Sequence, residues 1–196
     1  MSENGCIMDA FWLSFAVIFV AELGDKSQLM AMTFATRYRF WTVILAITAA
    51  TAVVHLFSVA LGNLVGLALP TGPINIIAGV AFVFFGFWTL RGDKLSDEEE
   101  GRALRSTRSA FFAVAIAFFL AELGDKTMLA TVTLATTEGW LGTWVGSTLG
   151  MVAADALAIG VGAVLGRKLP EKVIRIGAAV LFFIFGAWLV YEGIAA

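Results

Sequence analysis

Two short polar stretches, each embedded in apolar sequence, hold the residues able to do chemistry. The first is Ala21-Glu22-Leu23-Gly24-Asp25-Lys26-Ser27, followed by Gln28, and the second is Ala121-Glu122-Leu123-Gly124-Asp125-Lys126-Thr127, one hundred residues later. A carboxylate at bilayer depth is costly on any scale, so an intramembrane Glu or Asp marks a functional site by default. On a continuous helix Glu22 and Asp25 are three residues apart and share a face, as do Glu122 and Asp125. Gly24 and Gly124 remove a side chain between them, which permits close helix approach or a local unwinding that frees backbone carbonyls. Ser27 and Thr127 add hydroxyl oxygens, and Gln28 adds an amide oxygen where the second copy has Met128. A donor set made of oxygens favours hard cations, Ca²⁺, Mn²⁺ or Mg²⁺, over Zn²⁺ or Cu⁺. Met30, Met32 and Met128 offer a softer sulfur that would tilt the choice toward Mn²⁺, although a Met in a membrane helix ordinarily packs.

Lys26 follows Glu22 by four residues, and Lys126 follows Glu122 by four, the favourable order for an ion pair along one helix. Four carboxylates and two ammonium groups then leave two net negative charges if the motifs meet. One divalent cation would cancel them, and so would two protons, which points to alternate occupancy of one site. A different reading makes the motifs an interhelical salt-bridge network, with Glu22 and Glu122 paired to Lys26 and Lys126. It accounts for the lysines but does not require a second carboxylate in each copy. His55 aligns with Asp155, also in apolar sequence, and either could relay protons or form a secondary cation group; both could equally be hydrogen-bonded packing residues.

The elements that must position these groups are membrane helices. With 60% hydrophobic and 14% charged residues in a 196-residue chain, the composition excludes an ordinary soluble domain. Long apolar runs extend from about Ala10 to Thr36, Trp41 to Leu69, Ile74 to Leu90, Ser109 to Thr137, Leu141 to Leu165 and Val173 to Tyr191. Each is long enough for a hydrocarbon core that needs about 20 helical residues. The runs are continuous and do not alternate with period two, so an all-α integral membrane protein is expected, not a barrel. Residues 1–9 carry no basic region or cleavage site before the first run, which therefore reads as a retained helix. The single cysteine, Cys6, excludes an intrachain disulfide and a thiolate cluster, and nothing in the sequence suggests nucleic acid.

Residues 16–91 align with 116–191 without a gap, with 24 of 76 positions identical. The sequence thus divides into a three-helix repeat at 1–91, a linker at 92–108 and a second three-helix repeat at 109–196. An odd number of crossings per repeat makes six transmembrane helices in two inverted repeats. Apart from the motif lysines, all eleven basic residues fall on one predicted face, in the loops after the first, third and fifth runs. The positive-inside rule then places both termini outside and the central loop in the cytoplasm. That loop, with Asp97-Glu98-Glu99-Glu100 followed by Arg102, Arg105 and Arg108, reads as a solvated linker. Leu69-Pro70-Thr71-Gly72-Pro73 and Leu169-Pro170 read as helix stops, and the glycines Gly142, Gly146, Gly150, Gly160, Gly162 and Gly166 as close helix contacts.

The motif Glu-x-Gly-Asp-Lys/Arg-Ser/Thr, complete in both copies, resembles the signature of the Gdt-type family of divalent cation/proton antiporters, which includes bacterial manganese exporters and Golgi calcium/manganese transporters. The resemblance covers nearly the whole chain. It implies a cation site formed by Glu22, Asp25, Glu122 and Asp125, with Ser27, Gln28 and Thr127 in support. It implies a secondary transporter, not an enzyme, with no resident cofactor, that moves Mn²⁺ or Ca²⁺ out of the cytoplasm against protons. The compact form suggests a bacterial inner membrane. A passive divalent cation channel and a structural membrane assembly protein are the alternatives.

Overall fold

The computed structural model of the chain describes residues 3–68, 70–91, 109–165 and 171–195. These form eight helices: α1 (Glu3–Glu22), α2 (Lys26–Ala35), α3 (Phe40–Ala68), α4 (Thr71–Arg91), α5 (Ala110–Glu122), α6 (Lys126–Thr137), α7 (Trp140–Leu165) and α8 (Glu171–Ala195). By length and composition α3, α4, α7 and α8 can each cross a membrane, and α1 with α2 makes a fifth span if the bent pair counts as one. At 1.5 Å per residue, the 29 residues of α3 run for about 43 Å. The expected linker at 92–108 and the Leu169-Pro170 stop lie outside the described residues.

The first and fourth apolar runs are not straight helices. α1 stops at Glu22 and α2 starts at Lys26, bent by 78° from it, and α5 and α6 are separated at the same motif positions. The cause is local and repeated. Gly24 and Gly124 both sit at φ +77°, a left-handed conformation open to glycine because it has no Cβ. Asp25 and Asp125 follow in extended conformation as the N-caps of α2 and α6. Alone, the 13 residues of α5 are too few to cross. The proline stop is shorter than expected. α4 begins at Thr71, so Gly72 and Pro73 lie inside its first turn, where the missing proline N–H is no loss.

The two repeats clasp each other. α1 packs mainly on α7 of the other repeat, while α5 packs on α3, and α4 pairs with α8. Glycines make the first contact close. A Cβ added at Gly142, Gly146 or Gly150 of α7 would lie 2.3–2.5 Å from the carbonyl oxygens of Ile7, Phe11 and Phe15 on α1. Gly62 and Gly66 of α3 meet Val132 and Thr136 of α6 in the same way. These are the close contacts expected of small residues in membrane helices. Gly162 packs against Met32, Gly160 has nothing within 4 Å, and Gly166 lies outside the described residues.

Aligned residues meet at the centre. The Thr51 hydroxyl lies 3.4 Å from the Met151 sulfur, and the rings of Phe82 and Phe182 are 5.8 Å apart. A residue that touches its own counterpart must lie near an axis relating the two copies. The exterior is apolar, with Trp41, Leu64, Leu67 and Tyr191 all largely exposed. Such a surface suits lipid and would be an aggregation liability in water. Trp41 and Trp140 stand exposed at the starts of α3 and α7, where an amphipathic ring suits the membrane boundary.

Candidate cation site

Both helix breaks open onto one buried cluster. Glu22, Asp25, Ser27, Glu122, Asp125 and Thr127 are each at most 3% exposed. Within the first motif, Ser27 Oγ donates to Glu22 Oε1 and lies 3.3 Å from Asp25 Oδ2. Within the second, Thr127 Oγ1 donates to Glu122 Oε2 at 2.9 Å. One oxygen of each glutamate, Glu22 Oε2 and Glu122 Oε1, is buried with no hydrogen-bond partner among the described residues. Glu122 acts electrostatically on Glu22, Asp25 acts on both glutamates, and Asp125 acts on Glu122. The expected convergence of the two motifs is therefore present.

The lysines pair differently from the sequence expectation. Lys126 Nζ lies 2.5 Å from Asp25 Oδ1, and Lys26 Nζ lies 3.5 Å from Asp125 Oδ1. Each ammonium thus reaches the aspartate of the opposite repeat and does not simply bridge along one helix. The break explains the correction. Glu22 ends one helix and Lys26 starts another, so neither the shared face of Glu22 and Asp25 nor the i,i+4 geometry of Glu22 and Lys26 exists. The two bridges are also unequal, since the Lys126 side chain is 5% exposed and that of Lys26 is 17% exposed.

Gln28 is used in a way the sequence did not suggest. Its Oε1 accepts the Gly24 N–H at 2.8 Å, and its Nε2 donates to the Ala154 carbonyl of α7 at 3.0 Å. Met128 does the first of these jobs in the other repeat, with its sulfur 3.1 Å from the Gly124 nitrogen. Both side chains hold the left-handed glycine by satisfying a backbone N–H that the helix break leaves over. The fixed offset of four residues after each glycine was the available signal. Met30 is packed in the apolar core and Met32 lies against Gly162, so these sulfurs serve packing.

His55 and Asp155 are both completely buried, with all four side-chain heteroatoms lacking a hydrogen-bond partner among the described residues. They diverge in surroundings. Asp155 acts electrostatically on Glu22 and Glu122 and is itself acted on by Asp25, whereas burial alone acts on His55. Among the described residues, no three His, Cys, Asp or Glu side chains are set to hold a metal ion together as they stand. What the cluster offers instead is a dense set of oxygens at two helix breaks, neutralised in part by two ammonium groups that cross between repeats. The C-terminal ends of α1 and α5 and the N-terminal ends of α2 and α6 meet at the same place, so helix-dipole ends of both signs lie at the cluster.

Comparison with known proteins sorts these features. The family model described as divalent cation/proton antiporter GDT1 matches residues 10–97 and again residues 110–196. A Vibrio cholerae protein named "Putative manganese exporter" is 36% identical over 181 residues, covering 91% of this chain and 88% of that one. The chloroplastic protein PAM71 of Arabidopsis thaliana is 34% identical over 220 residues, with 97% of this chain matched to 59% of its length. A rice protein named GDT1-like protein 4 is 29% identical, with 91% of this chain matched to 72% of its length. No solved structure matches significantly.

Proposed function

Because the chain belongs to the GDT1 family of divalent cation/proton antiporters, we propose that it exports Mn²⁺ from the cytoplasm in exchange for protons at the carboxylate cluster between its two helix breaks. One observation carries this reading: both motif copies deliver their carboxylates to a single buried cluster, where each repeat's lysine lies on the other repeat's aspartate. Discontinuous helices that meet between repeats are the usual framework of a transport site. Glu22, Asp25, Glu122 and Asp125 contact the cation, with Ser27 and Thr127 beside them; the Gln28 amide supports the first break.

In the arrangement seen, the ammonium groups of Lys26 and Lys126 supply positive charge to the aspartates. An arriving divalent cation shares those oxygens with the ammonium groups, which stay in the site. When it leaves, two protons take up the negative charge it had balanced, so the four carboxylates and two ammonium groups are near neutral with either occupant. The donors around the cluster are oxygens, which suit Mn²⁺ and Ca²⁺ alike. The choice of Mn²⁺ rests on the name of the Vibrio cholerae relative. The repeats are inverted in the membrane, with both termini outside and the basic loops in the cytoplasm of a bacterial cell, a reading supported by the one-sided placement of eleven Lys and Arg residues.

Proteoliposome flux tests the proposal. With Mn²⁺ or Ca²⁺ supplied on one side and internal pH recorded, cation entry is expected to drive protons out, and Glu22→Gln or Glu122→Gln to abolish both. Cation flux indifferent to an imposed pH gradient would identify a channel. Full exchange in both variants would sink the carboxylate site.

A further inference from the structure

Asp155 belongs to neither motif, yet it stands at the cluster. It is completely buried near the middle of α7, and neither oxygen has a hydrogen-bond partner among the described residues. Its charge acts on Glu22 and Glu122, one from each repeat, and Asp25 acts on it. The backbone beside it is fixed in place: the Ala154 carbonyl accepts from Gln28 Nε2, and Gly150, little more than a turn earlier, lies against Phe15 and Phe19 of α1. α7 is thus held against both halves of the first broken helix at the level where Asp155 sits.

A buried carboxylate without a partner is costly, and carbonyls, hydroxyls or amides nearby would ordinarily answer it. Here none does. A polar structural role would act through a hydrogen bond, and among the described residues neither oxygen of the side chain makes one. A cation arriving among Glu22, Asp25 and Glu122 would supply the missing counter-charge. We propose that Asp155 is a fifth carboxylate of the transport site, which contacts the divalent cation from α7 and makes the site asymmetric, since the matching position in the first repeat is His55. This rests on the transport reading above and adds to it an element outside the repeated motif.

The test uses the full chain purified in detergent, with Mn²⁺ and, separately, Ca²⁺ titrated calorimetrically into wild type, Asp155→Asn and Glu22→Gln. Thermal unfolding is recorded for each with and without metal. Asp155→Asn keeps the shape and removes the buried charge, so its metal-free Tm is expected to equal or exceed that of wild type. Its Kd for Mn²⁺ is expected to rise at least tenfold, and the Tm increase given by Mn²⁺ to shrink accordingly. Unchanged affinity in Asp155→Asn, beside lost binding in Glu22→Gln, would overturn the role of Asp155 and leave the transport reading intact. A lower metal-free Tm with unchanged affinity would also overturn it, by revealing a structural residue. Wild type that binds neither ion would overturn both. Should Asp155→Asn fail to fold, Asp155→Glu carries the test, since moving the charge by one methylene should shift the Kd at least threefold if it touches the ion and leave it unchanged if it does not.

Discussion

The crossed ion pairs make a sharp energetic prediction. Lys126→Met would leave Asp25, 1% exposed, without the ammonium 2.5 Å away. At an effective dielectric of about 20, charges at that distance attract by about 7 kcal/mol before desolvation is counted. Removing one partner of such a buried pair costs about 3–5 kcal/mol, because the other charge stays buried alone. Asp25→Asn should cost a similar amount for the same reason. The double variant Lys126→Met/Asp25→Asn removes both charges and should cost about as much as one single change and not the sum of two, giving a coupling energy of about 3 kcal/mol. Lys126 and Glu122, the pair suggested by sequence spacing, should couple by less than about 0.5 kcal/mol, the size of an ordinary i,i+4 contact. Lys26 and Asp125 should fall between, at about 1 kcal/mol, since their distance is 3.5 Å and the Lys26 side chain is partly exposed. The assay is equilibrium unfolding in mixed micelles with a chelator present, followed by tryptophan fluorescence, on each single and double variant. Stronger coupling of Lys126 to Glu122 than to Asp25 would refute the crossed arrangement, and with it the account of how the motifs face each other.

The two kinds of glycine should separate cleanly in the same assay. Gly124→Ala meets open space but must adopt φ +77°, a strain of about 1–2 kcal/mol, whereas Gly146→Ala places its Cβ 2.3 Å from the Phe11 carbonyl oxygen and should cost about 1–3 kcal/mol by forcing α1 from α7. The informative readout is metal exchange, which Gly124→Ala should reduce beyond its effect on stability because it acts at the break. Outside the spans, burial first, and then the charges of Asp9 and Glu192, push the Glu138 carboxyl above its ordinary value near 4.5. The folded chain therefore keeps this proton where the unfolded chain has lost it, so stability falls as pH rises through that window and stays lower at neutral pH. Glu138→Gln should raise Tm at pH 7 and leave it unchanged at pH 4; an equal change at both would reject the charge explanation.

Much of the site was legible because its chemistry is dear in a membrane. Glu22, Asp25, Glu122 and Asp125 stood out in sequence by cost alone, and the offset of one hundred residues told that the copies belong together. Apolar runs gave the helices for a similar reason, since a backbone in lipid must satisfy its own hydrogen bonds. What periodicity could not give was the break. Gly24 in a run of helix formers is compatible with a continuous helix, and only tertiary contacts decide that it turns left-handed. Once it turns, every inference drawn from helical spacing across residues 22–26 fails together, including the face shared by Glu22 and Asp25 and the partner of Lys26. The role of Gln28 was hidden for the same reason, because the N–H that it accepts is orphaned by that break. Asp155 was visible as a polar residue in apolar sequence, but which carboxylates it faces depends on the packing of α7 against α1, a contact between repeats that no local signal encodes.

The differences between the repeats bear on how an exchanger of this kind could work. Two identical halves related by an in-plane axis would give inward and outward states of equal energy, with no feature tied to one side. Here the halves differ at matched positions: Gln28 against Met128, His55 against Asp155, and a tight bridge against a loose one. Gln28 also ties α2 to α7 through Ala154, whereas Met128 can accept from Gly124 but has no N–H to donate. The first break is therefore fastened on two sides and the second on one. The two ion pairs join both breaks alike, so if one break is to yield first, the second has fewer of the hydrogen bonds formed among the described residues to lose. Gln28→Met should then remove the difference, and in flux measurements it should bring the rates of Mn²⁺ exchange in the two directions closer together, while a ratio unchanged from wild type would show that the asymmetry lies elsewhere.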